Sequence, residues 1–503
     1  MLFSTVVDAS RTVAGTRSRR AKSDALRAVL EALAPDEVEP VVSWLSGELT
    51  QGRIGVGWRT IVGTDASPVD SSSLTVADVQ EATDLIARAS GRGSAALRRE
   101  LLAGLLGRAT DDEQRFLVQV LGGELRQGAL EGVMIEAIAA AAGLPTDPVR
   151  RAVMLSGRLP DAAAAALDGG VDALAAFRLE VGRPVRPMLA SPAASLESAL
   201  GEFDSGVSVE YKLDGARIQV HRNGDRVWVF TRTLRDITGT VPELVELVAG
   251  LPVHSVVLDG ETLALTDAGR PRPFQETMSR FGATSTRELL LHPYFFDCLH
   301  VDGEDLLDLP LSTRLQALDR AAPGHRIPAL HRPDAAAAGE HLESALSEGH
   351  EGVMVKALDA PYAAGRRGRT WQKVKPEHTL DLVVLGAEWG YGRRTGYLSN
   401  LHLGARDPDG GPPIMVGKTF KGLTDALLRW QTEEFPLHES HRDEHTVHLR
   451  PELVVEIELD GVQTSTRYPG GLALRFARVL RYRPDKAAAD ADTIDAVRAL
   501  LRR

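Results

Sequence analysis

One cysteine, Cys298, stands among 503 residues, too few for a disulfide framework or for a zinc site built from several cysteines. A reducing compartment is the expectation. Long apolar runs are also missing: no uninterrupted stretch reaches the ~20 residues that a membrane-spanning helix needs. The start, Met1-Leu2-Phe3-Ser4-Thr5, has no basic segment leading into an apolar core, so neither a signal peptide nor a membrane partner is expected. The chain is assigned to the cytoplasm. Excess positive charge is lacking too, since the formal net charge is −11. That argues weakly against a polyanion as partner, yet a local basic face can bind phosphates on an acidic protein. The arginine clusters in 17–20, 366–369 and 475–483 keep that option open.

What is present suffices for several cores. Apolar residues make up 43% of the chain, and at about 150 residues per domain the length suggests roughly three domains. Residues 1–183 read as helical. Ser23-Asp24 is the expected cap of a run with Leu26, Val29, Leu30 and Leu33 on one face, ended by Pro35. A second run carries Val38, Val41, Val42 and Leu45. A short repeat follows such helices twice: Gly47-Glu48-Leu49-Thr50-Gln51-Gly52 and Gly123-Glu124-Leu125-Arg126-Gln127-Gly128. The glycines are read as helix ends first, with turns whose amides also suit phosphate oxygens.

The segment 182–192 holds three prolines and reads as a linker. Beyond it the pattern turns to short strands with helices between them, an α+β unit over 184–377. Strands again dominate 378–503, with one helix near 423–435 and a single strand read over 473–482. That suits a small β-barrel of the OB type.

The chemistry centres on Glu210-Tyr211-Lys212-Leu213-Asp214-Gly215-Ala216-Arg217. Side chains alternate along a strand, so Glu210 and Lys212 share a face, and Asp214-Gly215 is read as a turn that sends the chain back. A lysine pressed by cations can lose its proton and attack an electrophile. Downstream, in order, come Phe230-Thr231-Arg232, then Leu258-Asp259-Gly260-Glu261, read as a second Asp-Gly turn. Tyr294-Phe295-Phe296-Asp297 follows, then Glu351 to Lys356, Trp371-Gln372-Lys373-Val374-Lys375, and Arg475 through Lys486. Phe296 is placed to stack on a base, Phe295 in the core, and Cys298 as a buried small hydrophobe. Lys418-Thr419 after Gly417 fails as a phosphate loop, because Pro412 stands where its first glycine belongs.

Taken together these motifs resemble the covalent nucleotidyltransferase superfamily, and most closely the ATP-dependent DNA ligases of the cellular type, in archaeal and bacterial form. Lys-x-Asp-Gly alone is a weak pattern; the whole ordered set, with Arg186-Pro187-Met188-Leu189-Ala190 before it, is specific. The resemblance implies a multidomain fold. It has an all-α DNA-binding domain over 1–183, an α+β nucleotidyltransferase (adenylation) domain over 184–377 and an OB-fold barrel over 378–503. It also implies ATP as AMP donor, Mg²⁺, and nicked double-stranded DNA as substrate. A monomer is implied, nucleoid-associated in use, which clamp or repair proteins could recruit in replication, repair or recombination.

Residue by residue, the resemblance makes Lys212 the nucleophile that takes AMP as a lysyl phosphoramidate. Glu210 accepts from the adenine amino group and Phe296 stacks on the ring. Arg217, Arg232 and Arg367 contact ATP, with Arg366 as the alternative if the alignment slips by one. Lys373 and Lys375 neutralise phosphate and, with Arg217, disfavour the charged form of Lys212; a free lysine, with a pKa of about 10.4, is almost wholly protonated and not nucleophilic at neutral pH. Glu351 is the metal ligand, and Glu261 serves either the metal or the ribose. Arg475 and Lys486 orient the departing pyrophosphate. RNA ligase or capping enzyme is the runner-up, opposed by the helical N-terminal region. A catalytically silent DNA-end-binding protein is the rival from another class. A lone cysteine disfavours the NAD⁺-dependent ligases, which carry a four-cysteine zinc module.

Overall fold

The computed structural model describes residues 1–501 except 53, 126, 128, 129, 268, 273–275, 279–289, 364–366, 392 and 393. From Phe3–Gly15 to Leu159–Ala175 the regular elements are helices. Their apolar faces close one core, in which Phe3 meets Trp44 and Phe116 edge-on at 5.6 and 5.7 Å between ring centres. Edge-on contact places a positive ring edge against a negative face. The helix expected to begin at Ser23-Asp24 begins earlier. It spans Arg19–Leu30 and is capped by Ser18, whose hydroxyl accepts from Ala21 N at 3.2 Å. Arg19-Arg20-Ala21-Lys22 are strong helix formers, so the helix extends back to the first available cap. Leu26, Val29 and Leu30 are buried, as that face requires.

Both repeat copies follow a helix, Val38–Leu45 and Asp111–Leu121, and Gly47 and Gly123 take the left-handed φ values of 80° and 68° that helix ends favour. The two glutamines of the repeat point inward. Gln51 Nε2 donates to Thr83 and Asp84, while Gln127 Nε2 donates to Leu45 O and its Oε1 accepts from Ser10. The loops meet across a groove of about 710 Å³ lined by Gly47, Leu49, Gly52 and Gly123. Arg126 and Gly128 lie outside the described residues.

The middle region is built on two five-stranded sheets. The strands in chain order are β1 (Leu189–Pro192), β2 (Val207–Lys212), β3 (Ala216–Asn223), β4 (Arg226–Thr231), β5 (Ser255–Ala264), β6 (Leu291–Val301), β7 (Glu304–Asp305), β8 (Ala329–His331), β9 (Gly352–Ala357) and β10 (Arg367–Val374). One sheet runs β1-β10-β9-β2-β8 and the other β4-β3-β5-β6-β7. Part of the proline-rich linker is thus a strand: β1 lies at a sheet edge, parallel to β10, where Pro192 removes no ladder bond from a central partner. Val209 and Tyr211 face the helix Ala335–Ser347, and Tyr211 Oη donates to Ser344 at 2.9 Å. Phe295 and Cys298, both 0% exposed, pack on the outer side of the second sheet with Leu244 and Leu315. Asp297 is consumed there by Arg314 at 2.8 and 3.0 Å.

The last region is strand-rich. It contains β11 (His378–Trp389), β12 (Leu398–Ala405), β13 (Ile414–Thr419), β14 (Glu439–Arg442), β15 (Thr446–Leu449), β16 (Val454–Leu459), β17 (Gly461–Thr464), β18 (Leu472–Arg475) and β19 (Arg478–Tyr482). Long β11 pairs with β12 on one side and with β15 and then β16 on the other, curling the sheet into the expected OB-type barrel. A helix, Asp425–Glu434, interrupts the strands. The single strand read over 473–482 is in fact two. Phe476 takes φ 55°, so the chain breaks after Arg475, with β18 pairing β17 and β19 pairing β16. Among the described residues no helix is long and apolar enough to cross a membrane.

Candidate active site

Lys212 closes β2, and Asp214-Gly215 does not fold it into a hairpin. The turn carries the chain from the first sheet to β3 in the second, so the lysine stands at the seam between them. The seam is tight. A Cβ on Gly215 would lie 2.5 Å from Thr262 O, and one on Gly352, at φ 144°, would lie 2.3 Å from Val374 O. Asp259-Gly260 is likewise no turn but the middle of β5, at a register shift against β6 where Gly260 approaches Phe295. The strand period therefore points Asp259 and Glu261 toward the same side as Arg217 on β3, which lies directly opposite Glu261 and diagonal to Asp259, the partner of Gln219.

The cross-strand pairs set out the rest. Glu210 lies opposite Met354, Ser208 opposite Lys356, Lys356 opposite Trp371, and Met354 opposite Lys373. One face of the first sheet thus carries Glu210, Lys212, Lys356, Trp371 and Lys373. Glu351 follows directly: its N–H donates to Lys212 O at 2.9 Å, and its carboxylate is ion-paired with Lys212 Nζ. The cations expected beside Lys212 are thus offset by a carboxylate that meets it directly. Lys373 is pushed below the ordinary lysine range, first by burial and then by Lys375 and Lys212. Lys375 pairs with Asp460, which the barrel supplies from the end of β16.

Arg217 is largely buried, its side chain 14% exposed, and engaged. It is bidentate on Asp259 at 2.7 and 3.0 Å, and Nη1 donates to Met188 O at 2.6 Å. Burial opposes its charge, but the Asp259 carboxylate outweighs this and raises its pKa. Tyr362 completes the arrangement by donating to Asp259 Oδ2 at 2.7 Å and accepting from Met188 N at 3.0 Å. The Arg217 guanidinium lies 5.4 Å from the centre of the Phe296 ring, which also meets Trp371 edge-on at 5.9 Å. Burial pushes the Glu261 carboxyl up to about 8, against the pull of Lys212 and Arg217.

From the barrel, Arg475 reaches the seam. Its Nη1 lies 2.8 Å from Asp214 and its Nη2 lies 3.9 Å from Glu351. Lys486 is not brought there; it pairs with Asp381 at 2.6 Å, beside Arg483 on the same carboxylate. Arg232 is exposed on the turn after β4. The backbone of Arg367 opens β10 opposite Leu189, while its side chain, and all of Arg366, lie outside the described residues. Asp460 and Tyr362 were not foreseen. Asp460-Gly461 could have been flagged as a turn pair; nothing in the sequence marks Tyr362. Lys356 was visible at the end of its motif but carried no role.

Carboxylates and ammonium groups at one seam can bind a polyphosphate, and a lysine at its edge can be the attacking group. Magnesium usually takes one or two protein carboxylates plus substrate phosphates rather than a full protein cage. Glu261 and Glu351 fit that demand. Among the described residues no group of three or more acidic, histidine or cysteine side chains is arranged to hold a metal.

Known proteins match along the whole chain. The family described as ATP dependent DNA ligase domain matches 187–375, DNA ligase N terminus matches 61–139, and ATP dependent DNA ligase C terminal region matches 394–486. A "Probable DNA ligase" of Rhodococcus jostii (strain RHA1) is 75% identical over 100% of both chains. Another of that name, from Mycobacterium marinum (strain ATCC BAA-535 / M), is 54% identical over 99% of this chain and 100% of its own. The solved structure named "Pmar-Lig_PreS3" covers 95% of this chain and 99% of its own at a TM-score of 0.63 and 17% identity, a likeness of fold.

Proposed function

The chain belongs to the ATP-dependent DNA ligase family, and from that premise we propose that Lys212 is its nucleophile in sealing nicks in duplex DNA. The observation that carries this reading is the placement of Lys212 at the seam, with Glu351, Lys373 and, from the barrel, Arg475 converging around it. The Lys212 amine gives its lone pair to the α-phosphorus of ATP. A P–N bond forms, the P–O bond to pyrophosphate breaks, and the amine sheds its proton. Glu351, which meets Nζ directly, is the group positioned to receive that proton or to give way to a metal. AMP then passes to the 5′-phosphate of a nick, and the 3′-hydroxyl attacks that phosphorus and expels AMP.

Phosphoryl transfer is mostly positioning and charge neutralisation. Lys373, Lys375 and Arg475 supply that here for the phosphates, and Arg232 and Arg367 are proposed as contacts to ribose or phosphate. Glu210 and Phe296 hold the base. Arg217, locked by Asp259, acts as a fixed positive wall rather than as a mobile contact. Lys486, held on Asp381 in this arrangement, reaches pyrophosphate only through a shift of the barrel's far side. Glu261 and Glu351 would hold Mg²⁺, which would spread the charge of the α-phosphate and the leaving group. The domain limits proposed are 1–183, 184–377 and 378–503, and the repeat groove of the first is proposed as a backbone contact with DNA. The working form proposed is a monomer.

Sealing of a nicked duplex tests the reading. The wild type should join it with ATP and Mg²⁺, and Lys212→Ala should not. Lys212→Ala should nonetheless seal a nick that already carries AMP on its 5′-phosphate, because only the first step needs the amine.

A further inference from the structure

Glu210 and Lys356 are among the most buried charged groups of the chain, at 1% and 2% side-chain exposure, and their charged atoms lie 2.5 Å apart. Apart from each other, Glu210 Oε2 and Lys356 Nζ meet no hydrogen-bond partner among the described residues. Ser208, opposite Lys356 on the neighbouring strand, donates to the other oxygen, Oε1, at 3.0 Å. The Lys356 ammonium also lies 4.2 Å from the centres of both the Phe296 and Trp371 rings. The pair therefore sits against the aromatic wall of the proposed base site rather than in the ionic cluster around Lys212.

We propose that Lys356 is the positioning residue for base selection: it holds Glu210 as a carboxylate, which can only accept a hydrogen bond, so that a 6-amino purine is taken and a 6-oxo purine refused. This rests on the reading of Glu210 as the adenine acceptor. A lone carboxylate buried at this depth would take up a proton rather than stay charged. A protonated Glu210 carries an O–H and can donate to a 6-oxo group, so selectivity would be lost with the charge. The two rings favour a cation at the Lys356 position, and Ser208 fixes the carboxylate's orientation from its other side.

The test is lysyl-nucleotide formation from ATP and from inosine triphosphate, which differs from ATP at the 6-position, followed across pH. In Lys356→Met the ATP-over-inosine preference in kcat/KM should fall at least about tenfold. His331 on β8, which feels the Glu210 charge and is hydrogen-bonded to Arg326, titrates alike in wild type and variants. Relative to wild type, the loss in Lys356→Met should therefore deepen toward acid pH, and Lys356→Arg should restore the preference. Lys356→Gln, which can donate but carries no charge, should lose the preference as well and serves if Lys356→Met does not fold by thermal unfolding. A uniform slowing of both nucleotides in Lys356→Met and Lys356→Gln, with their ratio and its pH profile unchanged, would overturn the inference. Glu210→Gln separates the two layers. If it also leaves the ratio unchanged, the adenine reading of Glu210 has failed; if it alone collapses the ratio, only the role of Lys356 has failed.

Discussion

Arg475, from the barrel, sets its two terminal nitrogens 2.8 and 3.3 Å from the carboxylate oxygens of Asp214, two residues beyond Lys212. Both side chains are about four-fifths buried, so the pair lies between an exposed bridge of little worth and a buried one whose disruption is costly. Arg475→Ala and Asp214→Asn should each slow lysyl-AMP formation about tenfold, roughly 1.4 kcal/mol. The double variant should be little slower than either single one. Additive losses in a double-mutant cycle would show that the two side chains act separately.

A second cross-domain pair runs with opposite polarity. Asp460 of the barrel holds Lys375, a proposed phosphate contact, and its N–H donates to Arg475 O at 3.0 Å. ATP must draw Lys375 away from that carboxylate. Asp460→Asn should therefore lower KM for ATP in the first step while leaving its maximal rate nearly unchanged. An unchanged or raised KM would mean that Lys375 does not exchange partners.

Glu261 gives a dependence on pH. Its carboxyl is raised by burial from the ordinary 4.5 to about 8, so the folded chain binds a proton that the unfolded chain has released. That contribution to stability is complete below the unfolded value and is lost as pH rises through the folded one. Glu261→Gln, which stays neutral, should gain in melting temperature relative to wild type as pH is raised from about 5 to about 9. A gap that does not change with pH would contradict the burial of this carboxyl.

Gly352 tests the packing of the seam. Its φ of 144° and the 2.3 Å approach of Val374 O to a notional Cβ leave no room for a side chain. Gly352→Ala should destabilise the adenylation domain by about 2 kcal/mol or more and displace Glu351 from Lys212. Calorimetry would register it as a lower melting temperature, and adenylation should fall with it.

Much of this was legible in the sequence because motif order and strand alternation are local properties. A period of two puts Glu210 and Lys212 on one face of β2, and Trp371 and Lys373 on one face of β10, though joining the two faces takes the pairing through β9. The opposite burial of Phe295 and Phe296 follows from the same period, whereas Lys375 lies just past the end of β10. What a local reading could not supply was which strands pair. Asp214-Gly215 looked like a hairpin turn but links two sheets, and Asp259-Gly260 looked like a turn but is a tight point inside β5. Arg217 pairs with Asp259, which Tyr362 also meets, and Lys375 pairs with Asp460; these partners are distant in sequence, and no spacing ties them to one another. The break at Phe476 was missed because a left-handed non-glycine residue carries no sequence signal.

Binding to a nick should be strongly dependent on salt despite the net charge of −11. Local cationic patches that replace counterions on the DNA backbone give a linear fall of log affinity with log salt, with a slope of about −0.9 per phosphate contacted. Titration of a labelled nicked duplex at several salt concentrations measures it. A flat line would rule out phosphate contacts as the main source of affinity.

The central claim is that Lys212 carries AMP before the nick receives it. The purified chain, incubated with ATP and Mg²⁺ without DNA, should gain the mass of one AMP. Peptide mapping should place it on Lys212 through an acid-labile P–N bond, and added nicked duplex should discharge it. AMP on any other residue, or sealing by Lys212→Ala from ATP at the wild-type rate, would contradict the account.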